Sequence, residues 1–195
     1  VRADVGPLRG VIHAAGVYDD SLVVGHRWEL FEKVFDAKVV GTWNLHRSTA
    51  GDELDLFVCF SSITSMIGAA GLANYVAANA FLDSFAVFRR SQGLPASTVC
   101  WGPWDHVGMA ETVGPRRQAQ WNSSGVSPLG IGENCRALEI ALASKVARLG
   151  VLDVDWDKFL GRLQDAGRIS QFQGLGGSLP APDPSTEGFL EELRA

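Results

Sequence analysis

Three cysteines in 195 residues, an odd number set far apart at Cys59, Cys100 and Cys135, exclude a disulfide framework. Cys59 and Cys100 lie inside apolar stretches and read as buried thiols in a reducing compartment, so the cytoplasm is the expected location. The Asn122-Ser123-Ser124 sequon therefore carries little weight. Basic side chains are in deficit, 17 against 22 acidic, and a net charge of -5 with a pI near 5.3 argues against a nucleic-acid surface. No apolar run approaches the ~18 to 20 residues of a membrane span, and no signal-peptide pattern opens the sequence. The four histidines, His13, His26, His46 and His106, show no ligand spacing with one another or with the cysteines, so no metal site is expected. No serine sits in a G-x-S-x-G elbow, which removes the commonest hydrolase frame. A phosphate-cradling G-x-G-x-x-G is also missing; Gly174, Gly176 and Gly177 have no strand before them. What is present is 46% hydrophobic residues, enough for one domain with a sizeable core.

The stretch from Leu54 to Arg90 organises the rest. Leu54 to Phe60 reads as a strand apolar on both faces, which suggests a parallel sheet covered by helices. Ser61 and Ser62 end it, and in such folds the carboxyl ends of strands carry the chemistry. A small-residue loop follows, then a helix that starts near Asn74 or Tyr75 and stops before Gly93 and Pro95. Tyr75 and Asn79, four apart, share a face with Ala78, Leu82 and Ala86.

Before this unit, Val11 and Ile12 with Ala14 and Ala15 form a short strand closing on Gly16. Its small residues admit either a flat ligand such as a nucleotide or tight packing under a helix. Tyr18, Asp19 and Asp20 follow as a loop. Arg27 to His46 is helical, with Phe31, Val34, Phe35, Lys38 and Leu45 on or near one face. Lys38 is the anomaly on that stripe: a buried ammonium must be paired or used, unless its head snorkels to solvent. After the central unit come a strand from Ala96 to Trp101, a lid-like segment at about 105–130, a helix from Ile131 to Ser144 and a last strand from Ala147 to Asp153. Trp156 and Phe159 are expected to close the core. Residues 174–195 read as a Gly, Pro and Ser rich linker running into an amphipathic helix, Phe189 to Ala195, that leads to a downstream domain. The alternation of strands and helices supports an α/β layered fold.

Ser62, Tyr75 thirteen residues later, Asn79 four beyond, and Lys38 twenty-four before the serine form one constellation. Read singly, Ser62 and Tyr75 are equally well a cap and a core residue. Together, and with GVIHAAGVYDD, KVVGTWNLH, WGPWDHVGMA and VDWDKF around them, they resemble the short-chain dehydrogenase/reductase superfamily, and within it the ketoreductase domain of modular (type I) polyketide synthases. The usual Tyr-x-x-x-Lys is replaced by Tyr75-Val-Ala-Ala-Asn79 with a lysine on the preceding helix, as in the ketoreductases of polyketide and animal-type fatty acid synthases.

The resemblance implies an α/β fold, the C-terminal part of a Rossmann-like doubly wound parallel sheet, over residues 1–173. It implies NADPH-dependent reduction of a β-ketoacyl thioester on an acyl carrier protein, with Tyr75 as proton donor, Ser62 holding the carbonyl oxygen, Lys38 lowering the phenol's pKa, and Asn79 positioning the lysine or a relay water. His13, Ala14, Ala15, Gly16, Gly102, Pro103 and Trp104 match cofactor-binding positions. Tyr18-Asp19-Asp20 resembles the Leu-Asp-Asp fingerprint of B-type members, with Asp20 diagnostic, and Ile67 stands where A-type members have tryptophan; both imply a D-configured product. Met109 is expected near the acyl chain. A family member has roughly 90 more residues before Val11, holding three strands and the Gly-rich loop that binds the pyrophosphate. Without them an exposed sheet edge and weak NADPH binding are expected. The other N-terminal half and further synthase domains are the implied partners. Two rival readings are a fatty acid synthase or discrete ketoreductase and an inactive, structural reductase-like domain.

Overall fold

The structure, a computed structural model, describes residues 6–17, 19, 23–25, 27–105, 121, 123–144 and 146–165. In chain order its elements are β1 (Gly10–His13), α1 (Trp28–Phe35), a π turn (Asp36–Val40), α2 (Gly41–Ser48), β2 (Leu56–Ser62), α3 (Thr64–Ile67), α4 (Ala73–Ser91), β3 (Ser97–Trp101), β4 (Val126–Ser127), α5 (Ile131–Ala143), β5 (Arg148–Val151), β6 (Asp153–Val154) and α6 (Trp156–Asp165). Four of the strands make one parallel sheet in the order β1-β2-β3-β5. Parallel neighbours need crossovers, and the helices supply them.

Side chains alternate between the two faces of each strand. Phe57 and Cys59 of β2 point with Val11 of β1 toward Leu82 and Phe85 of α4. Val58 points the other way, with Val99 and Trp101 of β3, toward Ala141 of α5. Helices thus cover both faces of β2, and its continuous apolar run is the consequence. β1 differs: Ile12 is 52% exposed, and among the described residues β1 pairs with β2 alone.

Several element bounds shift. The central strand runs from Leu56 to Ser62, two residues later than expected, so both serines belong to the ladder, Ser61 opposite Cys100 and Ser62 opposite Trp101. The strand expected over Ala147 to Asp153 divides: Arg148–Val151 stays in the main sheet, while Asp153–Val154 pairs antiparallel with Val126–Ser127. That small ladder and the Trp104–Leu129 bridge hold the end of the expected lid against the body. Residues 106–120 of the lid, the linker from 174 and the final helix lie outside the described residues. Phe159 is buried and meets Trp156 edge-on, with 5.9 Å between ring centres.

The expected helix from Arg27 to His46 is one helical run interrupted by the π turn, where the Gly41 N–H donates to Asp36 O five residues back. The wider turn changes the buried stripe. Val34, Lys38 and Thr42 form its centre, and Phe31, Phe35 and Leu45 are half-buried. Thr42 satisfies its hydroxyl on Lys38 O at 2.5 Å. No helix among the described residues is long and apolar enough to cross a membrane.

Candidate active site

Lys38 stands out among the described residues, an ammonium side chain only 2% exposed. It leaves the middle of the π turn, a local geometry found often at functional sites. The His13 ring, buried at the end of β1, lies against the end of the turn: a Cβ on Gly41 would stand 3.5 Å from its Cε1 and 3.6 Å from its Nε2. Gly16 makes room for the lysine stem: a Cβ there would stand 3.0 Å from Lys38 Cε and 3.5 Å from Nζ. Packing is thus one use of the small residues after β1.

The Lys38 Nζ donates to the carbonyl of Phe60 at 2.9 Å and lies 5.4 Å from the centre of the Tyr75 ring, a cation–π distance. Burial pulls its pKa down from 10.5 to about 8, against the opposing pull of Cys59 and Asp83. His13 is held below its ordinary value by burial and then by the Lys38 charge, with the nearby backbone of Ala37 and Lys38 opposing.

Tyr75, Asn79 and Asp83 follow one another at four-residue steps along α4, all buried, as a polar stripe beside the apolar one of Ala78, Leu82 and Ala86. The Asn79 Nδ2 donates to Tyr75 O at 2.8 Å, and its Oδ1 is buried without a protein partner. Ser61 Oγ donates to Asn79 O at 3.3 Å, which ties the end of β2 to α4. Ser62 Oγ accepts from the Thr64 N–H at 3.2 Å and the Thr64 hydroxyl at 3.0 Å. With both acceptor positions engaged, its own proton is directed elsewhere. Lys38, Tyr75, Asn79 and the end of β2 therefore meet, each within one or two contacts of the next.

The turn Gly102-Pro103-Trp104 leaves β3 at the same end of the sheet. The Gly102 N–H donates to Val151 O at 2.6 Å, and a Cβ there would stand 3.1 Å from both Val151 O and Leu152 Cβ. Trp104 packs on Trp101 with ring centres 5.0 Å apart, and Pro103 O accepts from Leu129 N–H. Ala14, Ala15 and Gly16 form an exposed lip beyond β1. Asp20, Met109 and Tyr18 lie outside the described residues.

Sequence reasoning passed over three residues that build this place. Asn74, fully buried beside Tyr75, donates from Nδ2 to Leu30 O at 2.9 Å and Asp19 O at 3.2 Å, and accepts the Tyr75 N–H at 2.8 Å. Ser65 and Asp83 join below Ser62. The four-residue step that links Tyr75 to Asn79 continues to Asp83 and was signal enough for that one. Asn74 carries no periodic signal, because it is held by segments remote in the chain.

A protein-family model described as the KR domain matches residues 1–106. The chain is 37% identical over 171 residues to a component of the phenolphthiocerol/phthiocerol polyketide synthase of Mycobacterium tuberculosis, a match covering 88% of this chain and 9% of that protein. It is 41% identical over 170 residues to the polyketide synthase GfsB of Streptomyces halstedii, covering 86% of this chain and 3% of that one. Among solved structures, the ketoreductase from the first module of phoslactomycin biosynthesis in Streptomyces sp. HK803 is 38% identical, with a TM-score of 0.75 over 82% of this chain and 37% of that one. An A-type ketoreductase from a modular polyketide synthase is 34% identical, with a TM-score of 0.78 over 83% and 34%. The chain thus spans less than a tenth of those synthases and little more than a third of the solved domains.

Proposed function

Since this chain belongs to the KR domain family, the ketoreductase domains of modular polyketide synthases, we propose that it carries the catalytic part of an NADPH-dependent reductase. The substrate is a β-ketoacyl thioester on an acyl carrier protein and the product a 3-hydroxyacyl thioester. The observation that carries this reading is the Lys38 ammonium, buried and 5.4 Å from the Tyr75 ring.

Reduction of a ketone places negative charge on its oxygen, so the site needs oriented donors and an acid. Ser62 supplies the first, its hydroxyl proton directed away from the two Thr64 donors toward the ketone oxygen. Tyr75 supplies the acid. A phenol titrates ordinarily near ~10, and an adjacent cation lowers that value by stabilising the phenolate. Lys38 is that cation. Asn79 engages Tyr75 O rather than the lysine, and its unpartnered Oδ1 is an acceptor suited to a water that returns the proton from solvent.

The residues present fit a nicotinamide cofactor at one end. The lip of Ala14, Ala15 and Gly16 is exposed and carries almost no side chain, at the carboxyl ends of the strands where such folds bind nucleotides. Those residues and Gly102-Pro103-Trp104 would hold it, and when bound it supplies the hydride. The hand of the product rests on Asp20 and Ile67 and favours the D-hydroxyl; likeness to an A-type structure at a TM-score of 0.78 means that the fold itself does not select the hand.

The test joins this chain to the N-terminal segment of a solved relative and follows NADPH oxidation on a β-ketoacyl thioester. Turnover that is abolished in Tyr75→Phe supports the reading, and a chiral assay of the product reads its hand. A correctly folded protein with no turnover in either form supports a scaffold instead.

A further inference from the structure

Asp83 is a carboxylate only 5% exposed, one helical turn beyond Asn79 on the stripe that begins at Tyr75. A buried carboxylate persists only where hydrogen bonds or opposite charge satisfy it. Ser65 Oγ donates to its Oδ2 at 2.6 Å, Cys100 Sγ donates to its Oδ1 at 3.4 Å, and Arg148 Nη1 stands 3.7 Å from Oδ2. The same Ser65 Oγ lies 2.8 Å from the main-chain carbonyl of Ser62. One hydroxyl, its single proton shared between these two acceptors, therefore bridges the turn that carries Ser62 to the helix that carries Tyr75. On the other side of Ser62, Ser61 makes the second tie, to Asn79 O. The Ser62 turn is thus held from both sides by the residues that follow Tyr75 along its own stripe.

We propose that Asp83 is a positioning residue, which through Ser65 locks the Ser62 turn onto α4 and so sets where a ketone oxygen sits between the Ser62 and Tyr75 hydroxyls. This rests on the reductase reading above. The carboxylate has a second effect in the same place. The titratable groups facing Lys38 are His13 from β1, Cys59 from β2, and Tyr75 and Asp83 from α4. Burial pushes the Cys59 thiol up to about 12, so at neutral pH it is uncharged and lends the ammonium no support. The support from Asp83 remains. One side chain thereby serves both the geometry of the serine and the charge of the lysine.

The test uses the joined protein described above, with wild-type turnover as its first measurement. Ser65→Ala removes the bridge and keeps the charge. It is expected to lower kcat about tenfold, as a displacement of a fraction of an ångström does, with KM within about twofold and a lower stereochemical purity of product. Its pH profile stays as in the wild type. Asp83→Asn is expected to lower kcat likewise and also to move the alkaline limb of the profile to lower pH. Ser65→Thr, which keeps the hydroxyl, restores kcat. A residue that only stabilises the fold would lower the melting temperature and leave product purity and the alkaline limb unchanged, and that result overturns the proposal. If Asp83→Asn does not fold, Ser65→Ala alone decides, and wild-type kcat and purity in it overturn the proposal. A wild-type protein without turnover removes the reductase reading first, and the inference with it.

Discussion

Asn74 Nδ2 donates to the main-chain oxygen of Asp19 at 3.2 Å, across 55 residues of sequence, and so moors the loop after β1 to the first turn of α4. The same amide holds Leu30 O of α1, and Lys33 of that helix returns to Asp19 Oδ2 at 2.8 Å. Asn74→Leu is isosteric in outline but strands three backbone groups, Asp19 O, Leu30 O and Tyr75 N–H, in a buried place. Each such loss costs ~1 kcal/mol or more, so we expect a destabilisation on the order of 3 kcal/mol in urea unfolding. Asn74→Asp keeps the acceptor for Tyr75 but sets a carboxylate against two carbonyl oxygens, and is expected to be no milder.

Lys38→Met should separate stability from activity. The drop of the lysine pKa to about 8 by burial corresponds to about 3 kcal/mol of unfavourable charge burial at pH 7. The hydrogen bond to Phe60 O recovers about 1 of that. The variant is expected to be more stable by on the order of 2 kcal/mol at pH 7 and to lose reduction. The sign with pH follows from the direction of the shift. The folded protein binds this proton more weakly than the unfolded chain, so the cost is complete below about 8 and fades as pH rises toward ~10.4. The stability advantage of Lys38→Met over wild type should therefore shrink across that range in denaturant titrations.

The same lysine should appear in the rate. Its cation supports the Tyr75 phenolate, and that support is present below about 8 and withdrawn above it. We expect kcat/KM to fall along a one-proton alkaline limb near that pH. Lys38→Arg, which stays charged, should remove the limb even where it lowers the plateau.

Gly16→Ala is a small change with a directed effect. The new methyl would stand 3.0 Å from Lys38 Cε, closer than ordinary contact, and the lysine stem rather than the backbone must give way. A loss of about tenfold in kcat with little change in melting temperature is expected, in keeping with the sensitivity of proton-transfer sites to misplacement.

Acid should loosen the opposite end of α4. Arg89 is buried over the Phe57 ring, 4.1 Å from its centre, and Arg89 Nη1 donates to His46 Nδ1 at 2.6 Å. That bond needs a neutral imidazole, and burial followed by the Arg89 charge lowers the His46 pKa. His13 is lowered too, by burial first and then by Lys38. For both, the unfolded chain takes up protons more readily as pH falls through ~6.5. Stability is expected to decline between pH 7 and 5, and less steeply in His46→Gln, as thermal melts would show.

The α/β class, the strand end at Ser62, the step from Tyr75 to Asn79 and the buried Lys38 were legible in the chain because each is local in origin. A strand apolar on both faces, a helical step of four and a lysine on an apolar stripe are properties of single segments. Their common pattern also carried the family. The π turn was not legible, since a regular helix over 27–46 explains the same apolar spacing, and only packing against His13 and Gly16 distinguishes the two. The division of the last strand was hidden for a similar reason: Arg148 to Val154 is one β-like run until Val126 claims its end.

Amino-acid order by itself determined which residue types stand at the carboxyl ends of the strands and which faces are apolar, because periodicity is a property of the backbone. Only the tertiary structure decided that Asn74 holds Asp19, that Ser65 links Ser62 to Asp83, and that Phe60 O receives the lysine. Those contacts join groups 18 to 55 positions apart, or carbonyls that carry no side-chain signature, and their energy exists only once the sheet has brought them within about 3 Å.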